Sequence, residues 1–119
     1  MWGLAFKANT DDMREASSQT LINDLLAAGA TITAYDPVAM AQARSVYPDA
    51  HGLSYAASSM EALQQADALL IVTEWKEFKS PDFPMIKATL KNPVIFDGRN
   101  LYEPQWVRGM GLEYFAIGR

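Results

Sequence analysis

Met1-Trp-Gly-Leu-Ala-Phe-Lys-Ala-Asn-Thr-Asp-Asp-Met-Arg-Glu-Ala-Ser-Ser18 opens the chain and decides how the rest is read. The apolar run from Trp2 to Phe6 reads as a buried strand. A polar loop follows, carrying Lys7, Asp11, Asp12 and Arg14, and an amphipathic helix starts beyond it. Strand, charged loop and helix start together make the usual place for an α/β protein to hold a phosphate. Free backbone N–H groups and the positive end of the helix dipole both favour an anion there. The place lies at the carboxyl end of a strand, where open α/β sheets take their ligands. The stretch points to a phosphorylated small molecule.

Working outward, the spacing predicts a first helix over Glu15 to Ala28, with Leu21, Ile22, Leu25 and Leu26 as its apolar stripe. Gly29 then suits the left-handed residue that ends many helices. Ala30 to Tyr35 alternates as a strand, with Ile32 and Ala34 on the face opposite Thr31, Thr33 and Tyr35, and stops at the turn signal Asp36-Pro37. A short helix is expected over Val38 to Val46 and a weak strand near Gly52 to Tyr55. Ser58 and Glu61 have capping-box spacing at the start of a helix running to about Ala66. Ala68 to Thr73 is apolar on both faces, as a central parallel strand should be. A helix over Pro84 to Leu90, a strand over Pro93 to Asp97 and a last edge strand over Glu113 to Ile117 complete the pattern. Strands alternating with helices imply βαβ units. The expected fold is therefore a Rossmann-like three-layer α/β sandwich with a mostly parallel sheet of five to six strands.

Composition narrows the partners. A chain of 119 residues is one domain, and half of it is hydrophobic. No apolar run reaches the roughly 20 residues of a membrane-spanning helix. The net charge of −4 argues against nucleic acid or an anionic membrane as the main partner. Cysteine is absent, which removes disulfides and thiolate chemistry and suits a cytoplasmic protein.

The dinucleotide fingerprint Gly-x-Gly-x-x-Gly is missing, since Gly3 stands alone and Gly109-x-Gly111 has no following helix. A phosphate must then be held by cations. Lys7 follows the first strand and Arg99 the fifth, so both belong at the carboxyl edge; the alternative is that each is an ordinary solvated charge. Asp11, Asp12 and Glu15 read as helix-start carboxylates before they read as a magnesium site. Trp75 and Phe78 read as packing residues before they read as a stacking platform. Glu74 reads as a structural hydrogen-bond partner of a neighbouring loop, and Asp97 as a group that either orients Arg99 or caps its turn. His51, the single histidine, has no catalytic constellation around it. Met40, Met60, Met85 and Met110 are expected to pack against apolar neighbours, and Trp2 and Trp106 to face a further domain.

Five motifs occur in order: Gly3-Leu-Ala-Phe-Lys7, Thr10-Asp-Asp-x-Arg-Glu15, Tyr35-Asp-Pro37, Thr73-Glu-Trp-x-x-Phe78 and Phe96-Asp-Gly-Arg-Asn100. With them the chain resembles the C-terminal, UDP-binding domain of the UDP-glucose/GDP-mannose dehydrogenase family over essentially its whole length. The resemblance implies a UDP-sugar substrate such as UDP-glucose and an NAD-dependent, two-step oxidation of the sugar's primary alcohol to a carboxylate. It implies that Phe6 and Lys7 contact the UDP-sugar, that Arg99 binds it from the facing loop, and that Arg14 reaches NAD held by an N-terminal domain. Family enzymes also carry that N-terminal NAD domain and a segment with a catalytic cysteine, and homo-oligomers are expected of the whole enzyme. Neither element is found in residues 1–119. The chain is therefore expected to be a separated domain or a truncated product, inactive alone because thioester formation needs a thiol. Two other classes were weighed. A phospho-receiver would need an aspartate ending the strand near Leu53-Ser-Tyr-Ala56, which has none. A stand-alone nucleotide-binding or assembly module would have the same sequence features.

Overall fold

The computed structural model describes residues 1–48 and 51–118. Among the described residues, helices and strands alternate as α1 (Ser17–Ala27), β1 (Ile32–Ala34), α2 (Met40–Val46), β2 (Leu53–Tyr55), β3 (Leu69–Ile71), α3 (Phe83–Thr89), β4 (Val94–Asp97), α4 (Pro104–Gly109) and β5 (Glu113–Ala116). Single 3-10 turns cover Glu61–Leu63 and Lys76–Phe78. All pairings are parallel: β1 with β2 in the register Ile32 to Leu53, β3 with β4 in the register Leu69 to Ile95, and β4 with β5 in the register Val94 to Glu113. The α/β class with parallel sheets is as expected from the alternation.

The strand count is not. Instead of one sheet of five to six strands, there is a two-stranded sheet, β1-β2, and a three-stranded sheet, β3-β4-β5. The expected first strand, Trp2 to Phe6, shrinks to Trp2, which bridges Tyr35 on one side and Ile71 on the other. Its N–H donates to the Leu70 carbonyl at 2.7 Å, and its carbonyl accepts from Val72 at 2.9 Å. Gly3 ends the pairing. Its φ of +98° turns the chain out of the extended region, and a side chain there would lie 2.5 Å from Thr73 Cβ. Beyond Gly3 the amides find a carboxylate rather than a neighbouring strand.

Other boundaries move for similar local reasons. The first helix starts at Ser17 and not Glu15, because Glu15 sits at φ +57°. Ser58 Oγ does accept from the Glu61 amide, at 3.1 Å, but the Glu61 carboxylate takes the Ala57 amide. The helix expected to run to Ala66 stops as the turn Glu61–Leu63, and Gln65 at φ +61° reverses the chain into β3. Helix α4 was not anticipated. Pro104 occupies its first turn, and the Glu103 carboxylate accepts from the Gln105 amide at 3.4 Å.

The core runs through both sheets. Trp2, Leu4, Ile22, Leu63, Leu69, Ile71, Phe78, Ile86, Ile95, Val107 and Tyr114 are almost completely buried. Trp2 stacks on Phe78 with centroids 5.0 Å apart, and its indole N–H donates to the Ser59 carbonyl at 2.8 Å. It is thus a core residue and faces no second domain, contrary to expectation. Trp106 does lie open, in edge contact with Phe83. Met40, Met60 and Met110 pack against the core, whereas Met85 is exposed.

Candidate ligand-binding site

Residues 4–8 form a loop whose backbone is gripped by side chains from four other segments. The Asp36 carboxylate accepts from the Leu4 amide at 2.8 Å and the Ala5 amide at 3.1 Å. Ser18 Oγ donates to the Leu4 carbonyl at 2.5 Å, and Thr73 Oγ1 donates to the Ala5 carbonyl at 2.7 Å. The Phe6 amide donates to the Asp12 carbonyl at 2.7 Å, closing the polar loop on itself. Glu74 Oε1 accepts from the Ala8 amide at 3.2 Å. Buried backbone groups must be paired, and here they are paired one by one with residues distant in sequence.

Arg99 joins this loop from the other sheet. Its Nη2 donates to the Phe6 carbonyl at 3.0 Å, so the guanidinium lies on the peptide that links Phe6 to Lys7. Its Nε donates to the Val72 carbonyl at 2.8 Å and lies 3.3 Å from Glu74 Oε2. Glu74 Oε2 is buried and makes no hydrogen bond, so the contact with Arg99 is a charge pair without hydrogen-bond geometry. Asp97 builds the turn that presents Arg99: Oδ1 accepts from the Arg99 amide at 2.8 Å, while Oδ2 accepts from the Leu101 amide at 2.7 Å and the Tyr114 hydroxyl at 2.6 Å. Of its two expected roles Asp97 performs the capping one.

Lys7 and Phe6 are exposed on this loop. Arg14 is exposed too, and its guanidinium is engaged with Asp12, 2.8 Å from Nη2 to Oδ2. That hydrogen bond, with Arg14's amide and charge and a smaller contribution from Lys7, holds the Asp12 carboxyl at about 2. The structure therefore brings Phe6, Lys7 and Arg99 to one rim, at the ends of the Trp2, β3 and β4 segments, and leaves Arg14 on the flank beside Asp12. Trp75 and Phe78 are buried, Trp75 donating its indole N–H to Asp36 Oδ2 at 3.0 Å. They are packing residues, as read. Glu74 is the loop partner it was read to be. Sequence reasoning reads Asp36 as a turn and helix-start signal and misses its grip on the loop, and likewise that of Ser18 and Thr73.

A concavity of about 740 Å³ is a separate surface. Arg99 edges it, but its walls are mainly Leu21, Phe96, Phe115 and Ile117, and neither Phe6 nor Lys7 lines it. Apolar walls do not suit a phosphate. No helix among the described residues is long and apolar enough to cross a membrane.

Parallel strands, with a side-chain-braced loop in place of a glycine-rich turn and Arg99 hydrogen-bonded to it, make a Rossmann-like α/β domain. The chain belongs to the UDP-glucose/GDP-mannose dehydrogenase family: the model of that family's UDP binding domain matches residues 1–104. It is 46% identical to a UDP-glucose 6-dehydrogenase of Pseudomonas aeruginosa, covering 100% of this chain and 27% of the relative. It is 44% identical to a UDP-glucose 6-dehydrogenase of Rhizobium meliloti, covering 98% of this chain and 26% of the relative. Among solved structures, it superposes on an NDP-N-acetyl-D-galactosaminuronic acid dehydrogenase from Methanosarcina mazei with TM-score 0.78 and 31% identity, over 100% of this chain and 24% of that one. A UDP-glucose dehydrogenase from Pyrobaculum islandicum gives TM-score 0.74 at 31% identity, over 98% and 24% of the two chains. The chain thus spans about a quarter of the length of the relatives it matches.

Proposed function

We propose that residues 1–119 are the UDP-sugar-binding, C-terminal part of a cytoplasmic, NAD-dependent UDP-glucose 6-dehydrogenase, acting with an N-terminal domain and as a homo-oligomer. Phe6, Lys7 and Arg99 hold the nucleotide sugar. The observation that carries this reading is the Arg99 guanidinium lying on the Phe6–Lys7 peptide, bridging 93 residues of sequence. A guanidinium has five N–H donors, and the bonds to Phe6 and Val72 use two, so others can face a phosphate oxygen. Lys7, exposed and on the same peptide, supplies the second charge of the loop. Two cations about 4 Å from an anion are each worth on the order of 4 kcal/mol at an effective dielectric near 20, less the share that Glu74 already neutralises.

NAD is a different matter. Arg14 is a lone, exposed cation paired with Asp12, and the chain has no glycine fingerprint. These residues do not form a dinucleotide cradle, so any contribution to NAD is limited to Arg14 touching a molecule held elsewhere. The covalent oxidation step needs a thiol that residues 1–119 lack, and that chemistry is assigned to another part of the enzyme.

Titration calorimetry of the chain with UDP and with uridine, at low and high ionic strength, tests the site. The expected result is salt-weakened binding of UDP and a much weaker response to uridine. Equal heats for the two would remove the diphosphate anchor. UDP-glucose with NAD should give no NADH from this chain alone.

A further inference from the structure

Charged and polar side chains are seldom fully buried, and where they are, their partners reveal their use. Among the described residues the buried polar side chains are Ser18, Asp36, Thr73 and Asp97. None is scattered through the core. Ser18, Asp36 and Thr73 all grip Leu4 and Ala5, and Asp97 grips the turn of Arg99. We propose that Asp36 is the positioning residue of the ligand loop: its buried carboxylate fixes where Lys7 and the Arg99 acceptor on Phe6 stand relative to a bound nucleotide. This rests on the ligand reading above and assigns a role beyond it.

Asp36 is fully buried, yet among the described residues no cation pairs with its carboxylate. It accepts five N–H groups. Oδ2 takes Leu4, Ala5 and the Trp75 indole at 2.8, 3.1 and 3.0 Å, and Oδ1 takes Val38 and Ala39 at 2.8 Å each. Such an array compensates the cost of burying the charge. It also ties three elements to one point: the start of the ligand loop, the turn after β1, and the segment after β3. A carboxylate is acceptor-only and fits five donors, whereas an asparagine amide turns two donors of its own toward them. An asparagine can still turn its one oxygen to Leu4, Ala5 and the Trp75 indole, so Asp36→Ala, which removes both oxygens, is the substitution that frees Leu4 and Ala5.

The test measures amide hydrogen exchange and UDP affinity on the 119-residue chain, in the wild type, Asp36→Ala and Thr73→Val. In the wild type the Leu4 and Ala5 amides should exchange as slowly as those of Ile95 and Tyr114. In Asp36→Ala, protection at Leu4 and Ala5 should fall while Ile95 and Tyr114 keep theirs, and UDP affinity should drop on the order of tenfold. Thr73→Val removes the donor to Ala5 from the opposite side. It should loosen the same loop, and it supplies the result if Asp36→Ala does not fold. Unchanged UDP affinity with a loosened loop would overturn the role, as would protection lost evenly over the whole sheet. Fast exchange of Leu4 and Ala5 in the wild type would overturn it without any substitution. A wild-type chain that does not bind UDP refutes the ligand reading itself and this role with it; a binding wild type with an unaffected Asp36→Ala refutes the role alone.

Discussion

Replacing Gly3 with alanine probes the junction between the two sheets, and its cost can be worked from two separable causes. Gly3 sits at φ +98°, where an L-residue carries strain of about 1–3 kcal/mol. The added methyl would also lie 2.5 Å from Thr73 Cβ and 2.6 Å from the Thr73 backbone nitrogen. Backbone cannot swing aside as a flexible side chain can, so the overpacking adds about 1–3 kcal/mol. The sum, about 2–6 kcal/mol, is a large part of the about 5–15 kcal/mol that holds a domain of this size together. Gly29 supplies the control: its φ of +89° is comparable, and nothing lies within 4 Å of its would-be Cβ. Gly29→Ala should therefore cost about 1–3 kcal/mol, the strain alone. Urea unfolding followed by circular dichroism reads both, through midpoints at unchanged slope. Equal costs for the two substitutions would show that Thr73 does not press on Gly3 and that the loop is seated differently.

Arg99→Ala should weaken UDP binding and also destabilise the chain by about 1–2 kcal/mol in urea, because the Phe6 and Val72 carbonyls lose a charged but partly exposed donor. Lys7→Ala should weaken UDP binding with an unchanged urea midpoint; a midpoint shift as large as that of Arg99→Ala would mean that Lys7 braces the loop. Arg14→Ala should leave UDP affinity intact and let the Asp12 carboxyl rise from about 2 toward its ordinary value, as read by carboxyl-carbon NMR. An Asp12 midpoint that stays low would put the cause elsewhere. Burial, then the hydrogen bond to Glu77, pushes the Tyr35 phenol up to about 12. The neutral phenol is the form the fold favours, so its contribution is complete below about pH 10, the usual tyrosine value, and is lost as pH rises through 12. Glu77→Gln should lower that midpoint in a labelled-tyrosine titration; no change would leave burial as the sole cause.

Period and punctuation carried the sheet elements. Ile32 and Ala34 alternate with Thr33, and Leu69 to Ile71 are apolar throughout, so β1 and β3 were legible from local pattern. Trp2 to Phe6 looked the same, yet only Trp2 pairs. The difference lies in Gly3, whose conformation depends on Thr73, and in Asp36, which takes the next amides; both are contacts between residues far apart in sequence. The candidate site divides along the same line. Lys7 and Arg99 could be placed at one edge because each follows a strand, and an order of motifs supported them. Asp36 and Thr73 lay inside motifs, yet neither they nor Ser18 showed a bracing role, because a polar residue beside a turn reads alike whether it faces solvent or the interior. Burial, which sequence does not display, is what separates the two.

Trp2 is hydrogen-bonded to Leu70 and Val72, and Gly3 to Tyr35, so one short segment bastes together halves that are otherwise contiguous in sequence, 17–55 and 69–116. Each half can form its own strand pairing early; the stitch between them must wait for contacts of long reach. The loop proposed to bind UDP continues that stitch. A nucleotide clipped across Lys7 and Arg99 would therefore knot the thread as well as occupy a pocket, and at about 100 times its Kd would add about 2.7 kcal/mol against the halves drifting apart.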